Sequence, residues 1–355
     1  MKKALELAAR GKGWVSPNPM VGAVIVKNNI IIGEGYHQRY GDIHAEVAAL
    51  NSAGSSAKDG TLYVNLEPCA HFGKTPPCTE AIISAGISKV NIAIADPNPI
   101  VLGKGIAQLK KSGITVNVGL LQEAAEKLNE IFIKNITTQR PFIAIKIAST
   151  LDGKIATETR SSKWITSSAA RDYVHALRHE YDAVLVGINT VLQDNPLLNC
   201  RLDEPKRDPV RIVIDSKLQI PLNAAIIKAS RTASLIVFTR SSDNQKIYEL
   251  QKLGVTVVLE DGLGRISPEF IIDKLSEMKI TSILIEGGAE IAWSFIKEDL
   301  ADKFYTFLAP KLVGGFDAVP ITRGEGIKEM QDAKRVKWDE VTFIGDDILI
   351  TSYKS

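Results

Sequence analysis

The chain has 355 residues, a length that suits two domains better than one or three. Its 43 basic and 41 acidic residues leave a net charge of only +2, and aromatic residues make up 6%. Together these count against a nucleic-acid-binding protein, which needs a basic track with stacking platforms. No apolar run approaches membrane-spanning length, and three cysteines point to a reducing, cytoplasmic setting rather than to a disulfide framework.

Met1 to Arg10 reads as a short amphipathic helix. Glu6 interrupts its apolar residues and no small-residue cleavage site follows, so it is not read as a signal peptide. Ser16-Pro17-Asn18-Pro19 is a turn-rich loop. Val21 to Val26 and Ile30 to Gly35, joined at Asn28-Asn29, form a predicted β-hairpin. A helix is expected over His44 to Ala53, a strand over Thr61 to Leu66 and a helix over Cys78 to Ala85. Val90 to Ala95 and Thr115 to Val118 are predicted strands around a helix at Gly105 to Lys111. A single helix is expected from Leu121 to Asn135. The pattern breaks at Thr137 to Pro141, and a new strand starts at Phe142. The expected domains are 1–143 and 144–355.

The second half continues to alternate. Helices are expected at Ser168 to Tyr181, Ser242 to Leu253, Pro268 to Glu277 and Ala289 to Ile296. Strands are expected at Phe142 to Ala148, Ala183 to Gly187, Val210 to Asp215, Ser234 to Phe238, Thr256 to Leu259, Ser282 to Glu286 and Phe304 to Leu308. Glu340 to Ile344 and Ile348 to Tyr353 should close the chain as an antiparallel pair. Both halves therefore read as α/β layers, a sheet with helices against it.

Four residues carry a chemical signal. His44-Ala45-Glu46 is an H-x-E, and Cys69 and Cys78 supply two thiols. One imidazole and two thiolates suit zinc with an open fourth position, and Glu46 can reach a water there without binding the metal. This is the pattern of a zinc deaminase, in which zinc acidifies water and a glutamate moves protons. Eight residues separate the cysteines, where the plainest form has two. Read separately, an H-x-E is common, the cysteines could be buried apolar residues, and Cys69 with Cys78 could be half of a structural zinc site. A closed structural site has no use for the adjacent carboxylate. Glu286-Gly287-Gly288, between a strand and a helix, reads either as a tight turn or as a diphosphate cradle. No G-x-G-x-x-G accompanies it, so no Rossmann domain is expected.

Pro17-Asn18-Pro19-Met20-Val21-Gly22, His44-Ala45-Glu46, Leu66-Glu67-Pro68-Cys69, Thr75-Pro76-Pro77-Cys78 and Asp96-Pro97-Asn98-Pro99 together resemble the bifunctional deaminase/reductase family of riboflavin biosynthesis. The resemblance continues in Lys146 to Lys154, Ser162 to Thr166, Gly187 to Thr190, Asp194-Asn195-Pro196, Ile285 to Gly288 and Ala309 to Leu312. It implies a cytidine-deaminase-like zinc domain followed by a dihydrofolate-reductase-like domain that uses NADPH. It implies His44, Cys69 and Cys78 as zinc ligands, Glu46 as proton shuttle, and Asn18, His37 and Lys74 against a pyrimidine ribose-phosphate. It places Ala148, Trp164, Thr190, Asp194, Ser216, Gly287 and Gly288 near the cofactor, and Ser162, Arg178, Leu198, Arg201 and Glu286 near the reductase substrate. The implied chemistry is hydrolytic removal of the 2-amine of a diamino-ribosylamino-pyrimidinone phosphate, then reduction of ribosyl to ribityl. A homo-oligomer is also implied.

Read without the resemblance, Asn18 is a turn residue, His37, Lys74 and Arg178 are solvated, and Trp164 is a core or interface aromatic. Two arginines make sense against a phosphate, because guanidinium forks bind it bidentately. Lys146 and Glu286 are both weak candidates for a general acid. The competing readings of the whole chain are a nucleic-acid-editing deaminase and a non-catalytic zinc scaffold.

Overall fold

In the computed structural model all residues are described except 71–75, 100, 203–205 and 232, together with the side chain of residue 231. The chain divides into two units, Met1–Arg140 and Pro141–Ser355, so Phe142 and Ile143 belong to the second.

In chain order the first unit is built from α1 (Lys2–Ala9), β1 (Gly22–Lys27), β2 (Ile30–Tyr36), α2 (Ala45–Ala53), β3 (Thr61–Leu66), α3 (Cys78–Ser84), β4 (Lys89–Ile94), α4 (Lys104–Lys111), β5 (Thr115–Val118), α5 (Gln122–Leu128) and α6 (Glu130–Thr138). Its sheet runs β2-β1-β3-β4-β5, with the hairpin and β3 antiparallel and β3, β4 and β5 parallel. Gly33 and Gly35 let α2 lie directly on β2. A Cβ at either position would come within 2.4 Å of the Ala49 backbone. Ala45, Ala49 and Ala53 answer with small side chains on the facing helix, all buried. That close approach decides where the start of α2, and so His44 and Glu46, stands above the sheet.

The single helix expected over Leu121 to Asn135 is instead two, α5 and α6, meeting at Asn129. Asn129 is buried, and its amide accepts from the Met20 N–H at 2.8 Å and donates to the Met20 carbonyl at 3.0 Å. The helix breaks where its side chain serves a loop 109 residues away.

The second unit contains β6 (Phe142–Thr150), β7 (Lys154–Ala156), α7 (Ser168–Glu180), β8 (Ala183–Gly187), α8 (Ile188–Asp194), β9 (Val210–Ile214), α9 (Ala225–Lys228), β10 (Leu235–Thr239), α10 (Asn244–Lys252), β11 (Val255–Leu259), α11 (Pro268–Glu277), β12 (Ser282–Glu286), α12 (Ala289–Lys297), β13 (Lys303–Ala309), β14 (Val319–Pro320), β15 (Val336–Ile344) and β16 (Asp347–Lys354). Nine strands form one sheet in the order β11-β10-β9-β8-β12-β6-β13-β16-β15, parallel from β11 to β13 and antiparallel beyond. β8, β10 and β12 are buried along their whole length and read as continuous apolar runs, as strands covered on both faces do. Each fully buried Ile or Leu in this core contributes about 1.5–3 kcal/mol. The pair β7 and β14, and the short helices α8 and α9, were not expected. α8 covers the Thr190 and Asp194 stretch, which has no room for a helical repeat. β15 starts four residues before the expected Glu340, because an exposed edge strand lacks the alternation that marks a half-buried one.

Candidate active sites

In the first unit, His44 is the N-cap of α2, Cys69 follows β3 and Cys78 opens α3. Their ligand atoms all lie within 4.8 Å of one another. His44 Nδ1 is 3.2 Å from Cys78 Sγ and 3.5 Å from Cys69 Sγ. A tetrahedral zinc with ordinary Zn–N and Zn–S bonds separates such atoms by about 3.6 Å, so the donors stand close to the spacing the metal needs. Two thiolates and one imidazole fit zinc in kind as well as in distance.

The electrostatics favour a thiolate. Cys69 is held below its usual range, foremost by the Cys78 thiol beside it and further by His44 and the Cys78 amide, 3.3 Å from its sulfur. Cys78 is pushed up by the same contact and by burial. Metal binding to such a pair takes the thiolate form and releases the proton. Glu46, in the first turn of α2, is 4% exposed, and burial followed by the Cys69 charge pushes its carboxyl up to about 7. A carboxyl so placed can both take and return a proton near neutrality.

Asn18 and His37 come together at this site. The Asn18 amide lies 3.2 Å from His37 Nε2, and the His37 ring meets the His44 ring edge-on at 5.7 Å. His37 is 3% exposed, so it is not the solvated residue its sequence suggested. Burial leads in lowering its pKa. Lys74 lies outside the described residues.

Three positioning residues escaped the sequence reading. Asn65, fully buried on β3, accepts the Gly22 amide and donates to the Met20 carbonyl, each at 2.8 Å. With Asn129 it ties down the loop that carries Asn18. Glu67 accepts the amides of Asp96 and Gly103 at 3.0 Å and of Ile106 at 3.1 Å, fastening the segment before Cys69 to the start of α4. A Pro-flanked Glu beside a ligand, and an Asn inside a helical repeat, were the only available hints.

In the second unit the expected residues gather at the carboxyl ends of the parallel strands, where ligands of such sheets bind. Ala148 lies near the end of β6, Thr190 and Asp194 on α8 after β8, Ser216 after β9, and Glu286 to Gly288 at the end of β12. Gly287 and Gly288 take φ of 86° and 84°, and a Cβ on Gly287 would stand 3.4 Å from Thr190 Oγ1. A turn without side chains thus meets α8 at the end of β12. Ser162, Lys163 and Asp194 help line an open cleft of about 430 Å³, with Lys163 and Asp194 paired at 3.6 Å. Trp164 is not core: the residue is 63% exposed, with the Arg171 guanidinium 4.4 Å from the ring centroid.

Arg178 is not solvated either. Its Nε and Nη2 hold both oxygens of Glu286, at 2.7 and 2.9 Å, and its Nη1 donates to the Asn199 carbonyl at 3.1 Å. For Glu286 burial pushes the pKa up, but the Arg178 charge and hydrogen bonds outweigh it and the net direction is down. Lys146 is the register neighbour of Glu286 across β6 and β12; burial lowers its pKa, Glu286 opposing and Arg178 adding. Leu198 is buried with φ 53°, and Arg201 is exposed with Nη1 on the Asn199 side-chain oxygen at 3.0 Å.

The RibD C-terminal domain family matches residues 141–350, and the cytidine and deoxycytidylate deaminase zinc-binding region matches residues 1–94. These matches, with the two sites, define a bifunctional enzyme: a cytidine-deaminase-like zinc domain and a RibD-type reductase domain that uses NADPH. The riboflavin biosynthesis protein RibD of Bacillus amyloliquefaciens is 45% identical over 99% of this chain and 95% of its own, and that of Aquifex aeolicus 44% over 99% and 96%. The solved diaminohydroxyphosphoribosylaminopyrimidine deaminase/5-amino-6-(5-phosphoribosylamino)uracil reductase of Thermotoga maritima is 41% identical. It superposes with a TM-score of 0.89 over 100% of this chain and 97% of that one. The chain belongs to the RibD family, whose work is deamination followed by reduction in riboflavin biosynthesis.

Proposed function

We propose that His44, Cys69 and Cys78 hold the zinc, that Glu46 carries the protons of deamination, and that the substrate is 2,5-diamino-6-ribosylamino-4(3H)-pyrimidinone 5′-phosphate. The observation that carries this reading is a buried carboxyl in the first turn of α2, two residues from His44, beside three converging zinc donors. Bound there, zinc supplies the Lewis acidity that makes water nucleophilic at neutral pH. Glu46 accepts the proton that water loses as its oxygen bonds to C2. It returns protons to the ring nitrogen and then to the departing amine, so that water is consumed and ammonia released. Asn18 and His37 orient the pyrimidine. Glu46→Gln keeps the shape and the metal but has no proton to give. Ammonia release should fall by about 10²–10⁴-fold with zinc content unchanged; full activity in a zinc-loaded E46Q would remove Glu46 from this role.

In the second unit NADPH supplies a hydride to C1′ of the sugar. Ala148, Trp164, Thr190, Asp194, Ser216, Gly287 and Gly288 bind and orient it, and Ser162, Arg178, Leu198, Arg201 and Glu286 face the ribose phosphate. The accompanying proton needs a donor. Glu286 is held ionised by Arg178, which leaves Lys146 beside it. A Lys146→Met enzyme should bind NADPH normally and turn over at least about tenfold more slowly; wild-type turnover would exclude Lys146.

A cytoplasmic, homo-oligomeric enzyme completes the reading. No helix among the described residues is long and apolar enough to cross a membrane. Sedimentation giving the mass of one chain at micromolar concentration would rule out the oligomer, and recovery of the protein outside the cytoplasm would rule out the location.

A further inference from the structure

One face of α7 carries His175 and Arg178, and the segment Leu198–Arg201 hangs from it. Arg178 Nη1 donates to the Asn199 carbonyl at 3.1 Å. The Arg201 amide lies 3.2 Å from Nδ1 of His175, and that same nitrogen is 3.2 Å from the Asn199 carbonyl. The Cys200 thiol donates to the His175 carbonyl at 3.2 Å, and the Cys200 amide donates to Asp208 Oδ1 at 2.8 Å. Leu198 holds a left-handed φ of 53° within this arrangement. A side chain stays in that region only where its surroundings over-determine it.

One ring nitrogen cannot donate to Asn199 and accept from Arg201 at once. The Asn199 carbonyl already receives Arg178, whereas the Arg201 amide needs an acceptor. The hydrogen-bond network therefore assigns the ring proton to Nε2 and leaves Nδ1 accepting.

We propose that neutral His175 is a positioning residue of the reductase site: by accepting the Arg201 amide it registers the loop that presents Leu198 and Arg201 to the substrate, and its protonation breaks that registering bond. This rests on the reading of Arg201 as a substrate contact. Protonated, Nδ1 can no longer accept the Arg201 amide and can donate only to the Asn199 carbonyl, which Arg178 already reaches. The charges around the ring are Arg178 on its own helix, Glu286 on β12 and Arg201 on the loop, with Cys200 and Asp208 beyond. Burial and the two guanidinium groups lower the imidazole below its ordinary 6.5, against the Asn199 carbonyl and Glu286. The accepting form is thus the resting one near neutrality, and the switch lies on the acid side.

The test is the reductase KM and kcat for 5-amino-6-(5-phosphoribosylamino)uracil between about pH 5.5 and pH 8 in wild type, H175F, H175N and R201A. Phe fills the volume without an acceptor, and Asn returns an oxygen near the Nδ1 position. H175F should raise KM about tenfold at the upper pH with a smaller change in kcat, the size expected for one orphaned amide. H175N should recover most of that affinity. The substrate phosphate itself titrates near 6, so the informative quantity is the extra acid-side rise in KM that wild type shows and H175N lacks. NADPH binding in every variant checks that the second unit is folded. A normal KM in H175F, with R201A impaired, overturns the positioning role. An unimpaired R201A overturns the substrate reading beneath it. If H175F does not fold, an H175N profile identical to wild type across the acid range overturns the switch by itself.

Discussion

Arg178 and Glu286 show how much a single side chain can decide in this molecule. Both are more than 85% buried, and their fork-to-fork geometry leaves neither charge unpaired. Removing one partner strands the other, so Arg178→Ala should cost about 3–5 kcal/mol of stability to denaturant. A loss within error of zero would mean that water reaches the pair. The pH dependence has a definite sign. Glu286 is depressed in the folded state, so its contribution is complete above the ordinary carboxylate value of 4.5 and is lost as pH falls through the lower folded value. Acid titration of Glu286→Gln by circular dichroism should therefore lack part of the wild-type loss below 4.5. Identical acid curves would assign that loss to other carboxylates. The convergence of His44, Cys69 and Cys78 was legible from sequence because a metal accepts few residue types. Arg178 was not, because a helical arginine looks solvated until the strand that carries its carboxylate, 108 residues later, is placed beside it.

Among the elements, α2 matters most, since its N-cap His44 and first-turn Glu46 are the proposed ligand and proton shuttle. It sits where it does because Gly35 has no side chain: a Cβ would meet the Ala49 nitrogen at 2.4 Å and the Ala45 carbonyl at 2.5 Å. Gly35→Val should lift the helix, lower zinc affinity at least about tenfold and weaken folding by about 1–3 kcal/mol. Zinc titration by competition with a chromogenic chelator measures the first effect, and unchanged affinity would show that α2 keeps its place by other contacts. Strand and helix positions were largely readable, because buried parallel strands and amphipathic helices write their periods into the chain. The exceptions have particular causes. Asn129 interrupts a continuous helical repeat to serve Met20, a contact with no local signature. α8 is too short for a period, and β15 is too exposed for an alternation.

At the scale of the whole molecule, each unit has its own sheet, core and site. Among the described residues the converging metal donors lie in the first unit, and the Gly287-Gly288 turn with the Arg178–Glu286 pair lies in the second. Dialysis against a strong zinc chelator should therefore abolish ammonia release while NADPH oxidation with the deaminated substrate persists, and added zinc should restore the first activity. Joint loss of both, with the second unit's NADPH binding gone, would show that the metal supports the fold of the entire chain. Domain order and the two chemistries were legible because they rest on motifs. Self-association was not, because a self-complementary surface need carry no motif.

The most direct measurement is the mass of the product formed from the diamino-ribosylamino-pyrimidinone phosphate by zinc-loaded enzyme, with and without NADPH. Exchange of an amine for oxygen should raise the mass by about one unit without NADPH. Hydride and proton together should add about two more with it. No mass change in either tube, from folded and zinc-loaded protein, would contradict the assignment of this substrate to this chain.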